Sequence, residues 1–308
     1  MFHFYYTLYF FPALWYPFPI ILQGVVMMAL ILRGSCVAET ILQTLRERVS
    51  ALRGRGIVPT LALLRVGESG SDLAYERGLV RRCREVGIAL RSTVLPWDCT
   101  TDELCTQIGR VNTDDTVHGC LLLRPLPKHI DEAAVCASLL PRKDVDGMTS
   151  AVLSGDGGYP PCAARSCMEI LDYYGIALSG KNAAVIGRGS VLGKPVARLL
   201  QERGARVTVC HSQTPNTAEI CAKADVLVAA AGHAGLVTAE HTNPSQVIID
   251  AGINTRADGT LCGDADFRAV EPLVQAITPV PDGVGAVTTA VLCAHVVDAA
   301  EKQNERAV

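Results

Sequence analysis

The sequence predicts an α/β fold in two domains, an N-terminal α/β domain followed by a Rossmann-like domain on a parallel sheet. Three observations carry this. From Ala183 to Ser212 the chain reads AAVIGRGSVLGKPVARLLQERGARVTVCHS, an apolar run, a glycine-rich turn, an amphipathic stretch and a second apolar run, which is one βαβ unit. Between Val37 and Leu123, apolar segments of strand length alternate with segments of helical period. The run SGDGGYPP, Ser154 to Pro161, is dense in turn formers and divides the two units.

In order along the chain, Val37 to Arg53 places Val37, Ile41, Leu45, Val49 and Leu52 on one helical face, and Leu61 to Val66 follows as an apolar strand. Asp72 to Val86 is a second helix, Ala89 to Leu95 a strand, Thr101 to Asn112 a helix and Gly119 to Leu123 a strand. Beyond the linker, Ala163 to Tyr174 is a bridging helix. Asn182 to Ile186 opens the second domain, Val191 to Arg203 is its helix, and Arg206 to Cys210, Val226 to Ala230 and Val247 to Asp250 are further strands. The last helix, Thr288 to Lys302, is amphipathic and is expected to pack back on the first domain. The expected boundaries are 28–155 with 286–308 for the first domain and 156–285 for the second.

Gly187, Gly189 and Gly193 stand where the chain turns sharply and approaches a phosphate, and the helix behind them aims its first amides and positive dipole end at an anion. The spacing G-x-G-x-x-x-G is one residue longer than the common dinucleotide fingerprint, so the strand before it and the helix and strand after it are what point to a dinucleotide. An NAD site places an acid at the end of the second strand, where this chain has Cys210, His211 and Ser212. With Arg188 in the turn and Ser212 at the strand end able to hold a 2′-phosphate, the expected cofactor is NADP. The plainer reading of Arg188 is a solvated loop charge.

Composition excludes several classes. Across 308 residues, 49% hydrophobic and 19% charged, the net charge is −3 and no basic run is present, so no nucleic-acid partner is expected. Twelve cysteines are scattered without a CxxC pair or a histidine spacing for zinc; no metal site is expected, and reduced thiols fit a cytoplasmic or mitochondrial-matrix setting. Residues 1–27 belong to a hydrophobic stretch with no charge before Arg33, interrupted by Pro12, Pro17 and Pro19. Three readings of it stand: synthesis beginning at Met27 or Met28, a membrane anchor, or an unusual targeting segment; membrane contact is expected only if the segment is real.

Seven segments together resemble one family, the bifunctional methylenetetrahydrofolate dehydrogenase/methenyltetrahydrofolate cyclohydrolases. They are VGESGSDLAYERGLVRRCREVGI (Val66 to Ile88), RPLP (Arg124 to Pro127), KDVDGMTS (Lys143 to Ser150), VIGRGSVLGKP (Val185 to Pro195), IIDAGIN (Ile248 to Asn254), GDADF (Gly263 to Phe267) and ITPVPDGVGAVT (Ile277 to Thr288). The resemblance implies a folate-binding catalytic domain, tetrahydrofolate derivatives as substrates and a homodimer. Such enzymes oxidise 5,10-methylene-tetrahydrofolate with NADP and hydrolyse the methenyl product to 10-formyl-tetrahydrofolate in one cleft. It implies that Tyr75 stacks on the pterin and p-aminobenzoate region and that Asp146 bonds the pterin's amino edge, both as catalytic and substrate-binding residues. Ser190 and Ile253 join the cofactor set by the same resemblance, and Pro281 and Gly283 the substrate side.

The departures are as informative. The family's lysine, one helical turn after the tyrosine, is Leu79 here, and the glutamine of its VQLPLP is Leu123 in LLLRPLP. An alkyl chain carries no proton, whereas general acid–base help is worth roughly 10²–10⁴ in rate. Arg81 and Arg124 are nearby in sequence, but Arg81 lies further round the helix and Arg124 is expected on the opposite face of its strand. PGGVGP reads PDGVGA, with Asp282 expected to repel anions in a loop lining the site; PCTP reads PCAA from Pro161 to Ala164, and Asp72 replaces a serine. The expected activity is therefore dehydrogenation, with hydrolysis weakened or lost. Two alternatives remain: a silent NADP-binding homologue that partners or regulates an active paralogue, and an NADP enzyme for another small substrate.

Overall fold

The computed structural model of the chain describes residues 28–305 apart from 156, so the hydrophobic extension 1–27 lies outside the described residues. The chain opens with β1 (Leu30–Ile31), α1 (Gly34–Gly54), β2 (Thr60–Val66), α2 (Gly70–Val86), β3 (Ala89–Leu95), α3 (Thr101–Thr113) and β4 (Gly119–Leu122). Strands β3, β2 and β4 form a parallel sheet in that order, with Leu61 of β2 opposite both Leu90 and Gly119. Every residue of β2 is buried, as a central parallel strand covered on both faces requires. Local chemistry sets the helix starts: Thr100 and Glu103 form a reciprocal capping box at α3, and the Ser69 hydroxyl accepts the Asp72 amide at α2.

The helices α4 (Glu132–Ser138), α5 (Ser150–Ser154) and α6 (Cys162–Tyr173) lead to the second domain. There follow β5 (Asn182–Ile186), α7 (Gly193–Glu202), β6 (Arg206–Cys210), α8 (Thr217–Ala222), β7 (Val226–Ala229), β8 (Val247–Asp250), the hairpin strands β9 (Asn254–Thr255) and β10 (Leu261–Cys262), α9 (Phe267–Val270) and β11 (Ala276–Ile277). Six strands make one parallel sheet in the order β1-β11-β8-β7-β5-β6. The chain runs from β5 out to β6 and back over β5 to β7, which makes the carboxyl end of β5 the topological switch point where such sheets bind ligands.

Helix α10 (Val284–Glu305) returns to pack against α1 and α6, and it begins four residues before the amphipathic pattern predicts. It is long and apolar enough to cross a membrane by length and composition, but most of that stretch is buried as the helix at the centre of the core. The first strand also departs from expectation. Leu30 and Ile31 pair with Ala276 and Ile277 at the edge of the second sheet, so the chain enters through the second domain before building the first. Two residues leave no periodic signal to read.

Candidate active site

The glycine-rich turn is held by backbone contact. Gly187 has φ +116°, and a Cβ there would lie 2.1 Å from the Ala230 carbonyl oxygen; a Cβ on Gly193 would lie 2.3 Å from the Gly187 oxygen. The helix therefore starts at Gly193 rather than at Val191. Among the described residues, the backbone amides of 188–192 donate to no backbone acceptor, which leaves a cradle of N–H groups over the helix start. Ile186 pairs with Cys210 in register, so Arg188 and Ser212 each stand two residues past the same rung of neighbouring strands. Both are exposed, as are Gly189 and Ser190. The turn fits a dinucleotide phosphate, and no carboxylate stands at the end of β6 to compete with a 2′-phosphate.

Two buried acids that sequence reading left without a role fix the neighbouring loops. Asp264 accepts the amides of Ala231, Gly232 and His233 at 2.7–2.9 Å and the Asn254 side-chain amide at 2.9 Å. Asp250 accepts the amides of Gly252, Asp264 and Ala265 at 2.9–3.0 Å, and burial still pushes its pKa up to about 6. Together they set the strand ends from which Ile253 projects, 64% exposed. They lie in IIDAGIN and GDADF, each acid within two residues of a glycine.

In the first domain, KDVDG separates into three jobs. Lys143 is fully buried and donates to the carbonyls of Asp114 and Val117. Asp144, equally buried, accepts the amides of Gly147, Met148 and Thr149 at 2.8–3.1 Å and folds the turn. Asp146 is left half-buried. Burial pushes its carboxyl up to about 6, Asp144 adding to the rise, against the opposing pull of Arg124 and a hydrogen bond with Cys162.

Tyr75, on α2, is 41% exposed, yet its pKa is pushed up, by burial first and then by the Asp146 charge, against a hydrogen bond with Thr289. Glu76 ties this part of α2 to the sheet, accepting from Arg65 at 3.2 Å and Ser92 at 2.7 Å. Leu79 follows one turn on and is 1% exposed; beyond it the thiols of Cys83 and Cys293 interact. Leu123 packs against the same apolar cluster. Arg81 points to solvent beside Glu85.

Arg124 corrects an expectation. Strand β4 ends at Leu122, so the alternation that would turn Arg124 away does not reach it. Its guanidinium lies 3.1 Å from Glu132 and 3.9 Å from Asp146. Asp282 corrects another. It holds φ +75°, but its carboxylate turns to the start of α1, accepting the Ser35 amide and an Arg33 guanidinium N–H at 3.1 Å each. Burial raises its pKa, but the bonds from Ser35 and Arg33 outweigh this and hold the carboxyl below the usual range. The expected repulsion of anions is thus largely neutralised at its source. Gly283 is buried here, with its carbonyl oxygen only 2.0 Å from where a Cβ on Gly34 would lie, while Pro281 is exposed.

The two halves meet on the first turns of α10. Ile253 Cδ1 lies 3.8 Å from the position a Cβ would take on Gly285, and Tyr75 reaches Thr289 one turn later. A separate cavity of about 490 Å³ between α1, α6 and α10, lined by Tyr159 and His295, includes none of these residues.

Residues 32–146 match the model of the tetrahydrofolate dehydrogenase/cyclohydrolase catalytic domain, and residues 161–304 match that of the family's NAD(P)-binding domain. The chain belongs to the tetrahydrofolate dehydrogenase/cyclohydrolase family. It is 44% identical over 280 residues to the bifunctional protein FolD of Carboxydothermus hydrogenoformans, covering 89% of this chain and 98% of that one. Among solved structures, the FolD methylenetetrahydrofolate dehydrogenase/cyclohydrolase of Campylobacter jejuni is similar at TM-score 0.85 and 34% identity, covering 88% of this chain and 98% of that one. The Trypanosoma brucei enzyme, solved with NADP cofactor and an inhibitor, is similar at TM-score 0.82 and 32% identity, covering 90% and 98%. The family's two-domain architecture, with its NAD(P)-binding parallel sheet, is the one this chain adopts.

Proposed function

We propose that this protein oxidises 5,10-methylene-tetrahydrofolate to the methenyl form with NADP, and that its hydrolysis of the methenyl product is weak. The observation that carries the reading is the meeting on α10, where Ile253 from the nucleotide domain and Tyr75 from the folate domain reach the helix one turn apart, at Gly285 and Thr289. NADP, when bound, supplies the hydride acceptor. Arg188 and Ser212 hold its 2′-phosphate, and the amides of 188–192 cradle its pyrophosphate. Tyr75 stacks on the folate, and the Asp146 carboxylate accepts paired hydrogen bonds from the pterin's amino edge. Hydride transfer needs mainly two rings held in register, and that is what these residues do.

Hydrolysis asks for more, because a water must lose its proton as it attacks the methenyl carbon. Leu79 and Leu123 hold no proton. An arginine side chain such as that of Arg124 makes a poor base, Tyr75 and Cys162 have pKa values raised by burial, and Asp146 is engaged with substrate. The alternative of a silent NADP-binding homologue rests on the same two leucines. The test incubates the purified protein with NADP and methylene-tetrahydrofolate and follows NADPH. Turnover is expected, falling roughly ten- to hundredfold in kcat/KM in Asp146→Asn, the loss of a hydrogen bond to a charged group worth about 1.5–3 kcal/mol. No NADPH above the folate-free background overturns the enzyme reading and leaves the silent homologue.

A further inference from the structure

Arg124 occupies the position of the first leucine in VQLPLP, next to Leu123, and its geometry gives it work that a leucine cannot do. The side chain is 24% exposed and divides its guanidinium between two carboxylates, Nη1 3.1 Å from Glu132 on α4 and Nη2 3.9 Å from Asp146. Groups from several elements act on Asp146. Asp144 faces it from its own turn, Cys162 bonds to it from α6, and Tyr75 approaches from α2. From α10, the buried His295 bonds the carbonyl of Val145 at 2.9 Å and is held neutral, its pKa pushed down to about 4 by burial. In this set the charged neighbours are one carboxylate and one cation, and the cation is Arg124.

We propose that Arg124 is a positioning residue for Asp146, keeping that carboxylate ionised and turned into the cleft so that it accepts two hydrogen bonds from the pterin edge. This rests on the folate reading above. Protonation of Asp146 would replace one acceptor by a donor and set it against the pterin's N–H groups, so the ionised form is the one that binds. An arginine suits the task because it remains charged throughout the working range. Glu132 competes for the same guanidinium and thereby sets how much of its field Asp146 receives.

The test uses the full chain and two readouts: the carbon-13 titration of the Asp146 carboxyl, and the acid limb of kcat/KM for methylene-tetrahydrofolate at saturating NADP. Arg124→Leu should move both upward by roughly one pH unit, as loss of an adjacent opposite charge does. Its kcat/KM should fall about tenfold below the limb and approach the parent value above it. Arg124→Lys should restore most of the limb. Glu132→Gln should move it the other way, downward, which general damage to the fold would not do. An Asp146 titration unmoved in Arg124→Leu, or a loss of kcat/KM equal at every pH, overturns the proposal. If the parent protein shows no turnover, the folate reading fails, and the carboxyl titration still decides whether Arg124 controls Asp146.

Discussion

Leu79 and Leu123 concentrate the chemical question, because each is an alkyl chain packed where the family pattern has a polar group, with Leu79 only 1% exposed. A lysine placed at 79 would be desolvated and lose its proton more readily than in water, which is what a base near neutral pH needs. The double variant Leu79→Lys with Leu123→Gln is therefore expected to raise methenyl-tetrahydrofolate hydrolysis at least about tenfold, the low end of general acid–base effects. Unchanged hydrolysis in a folded double variant would place the defect elsewhere. Asp282 makes a second residue-scale prediction, on stability. Its left-handed φ costs energy that glycine would not, while its carboxylate caps α1 and pairs with Arg33. Asp282→Ala keeps the strain and loses the cap, and is expected to lose about 1 kcal/mol or more in denaturant unfolding. Asp282→Gly loses the cap but releases the strain, and is expected between the two. Since the folded pKa is lowered, the cap's contribution is fully present above the unfolded value of about 3.9 and fades as pH falls through the folded one. An alanine variant as stable as the parent at pH 7 would contradict this.

The helix α10 carries the next scale, since it walls both halves of the site and closes the core against α1 and α6. His295 sits in that seam, 5% exposed, its ring 5.1 Å from Tyr159 and its Nδ1 on the Val145 carbonyl. Its folded pKa of about 4 lies below the unfolded value of about 6.5, so between these the unfolded chain binds more protons. Its contribution to stability is then complete above pH 6.5 and drains away on acidification toward 4, at roughly 1 kcal/mol per pH unit. Asp146 and Asp250, raised to about 6, tilt the curve the opposite way, so the parent curve alone does not isolate the histidine. The difference between parent and His295→Gln does. Urea unfolding from pH 4 to 7 should show the variant's penalty shrinking as pH falls, and a pH-independent penalty would contradict the assignment.

For the whole molecule, the elements with strong periodicity were legible in the sequence: the βαβ unit at 182–210 and the alternation from α1 to β4. The early start of α10 at Val284 leaves no mark in the amphipathic pattern and the placement of Arg124 turns on where β4 ends, while the two-residue strand β1 and the Asp282 carboxylate are each decided by a partner far along the chain. Tertiary contact, rather than local preference, sets the latter two. The site divides in the same way. Among the candidate site residues, the glycines and Tyr75 come from pattern and family resemblance, whereas the Asp250 and Asp264 loop anchors and the Arg124–Asp146 pair appear only once the strand ends converge. On the proposed reading, the described residues assemble a cofactor cradle beside a folate cleft that keeps Asp146 as its binding carboxylate and carries Leu79 and Leu123 where the family pattern has a polar pair. The most direct measurement follows NADPH, methenyl-tetrahydrofolate and 10-formyl-tetrahydrofolate together in one progress curve started with methylene-tetrahydrofolate and NADP. Methenyl product is expected to accumulate in step with NADPH while the formyl product lags well behind; formyl product keeping pace with NADPH, or no NADPH at all, would contradict this reading.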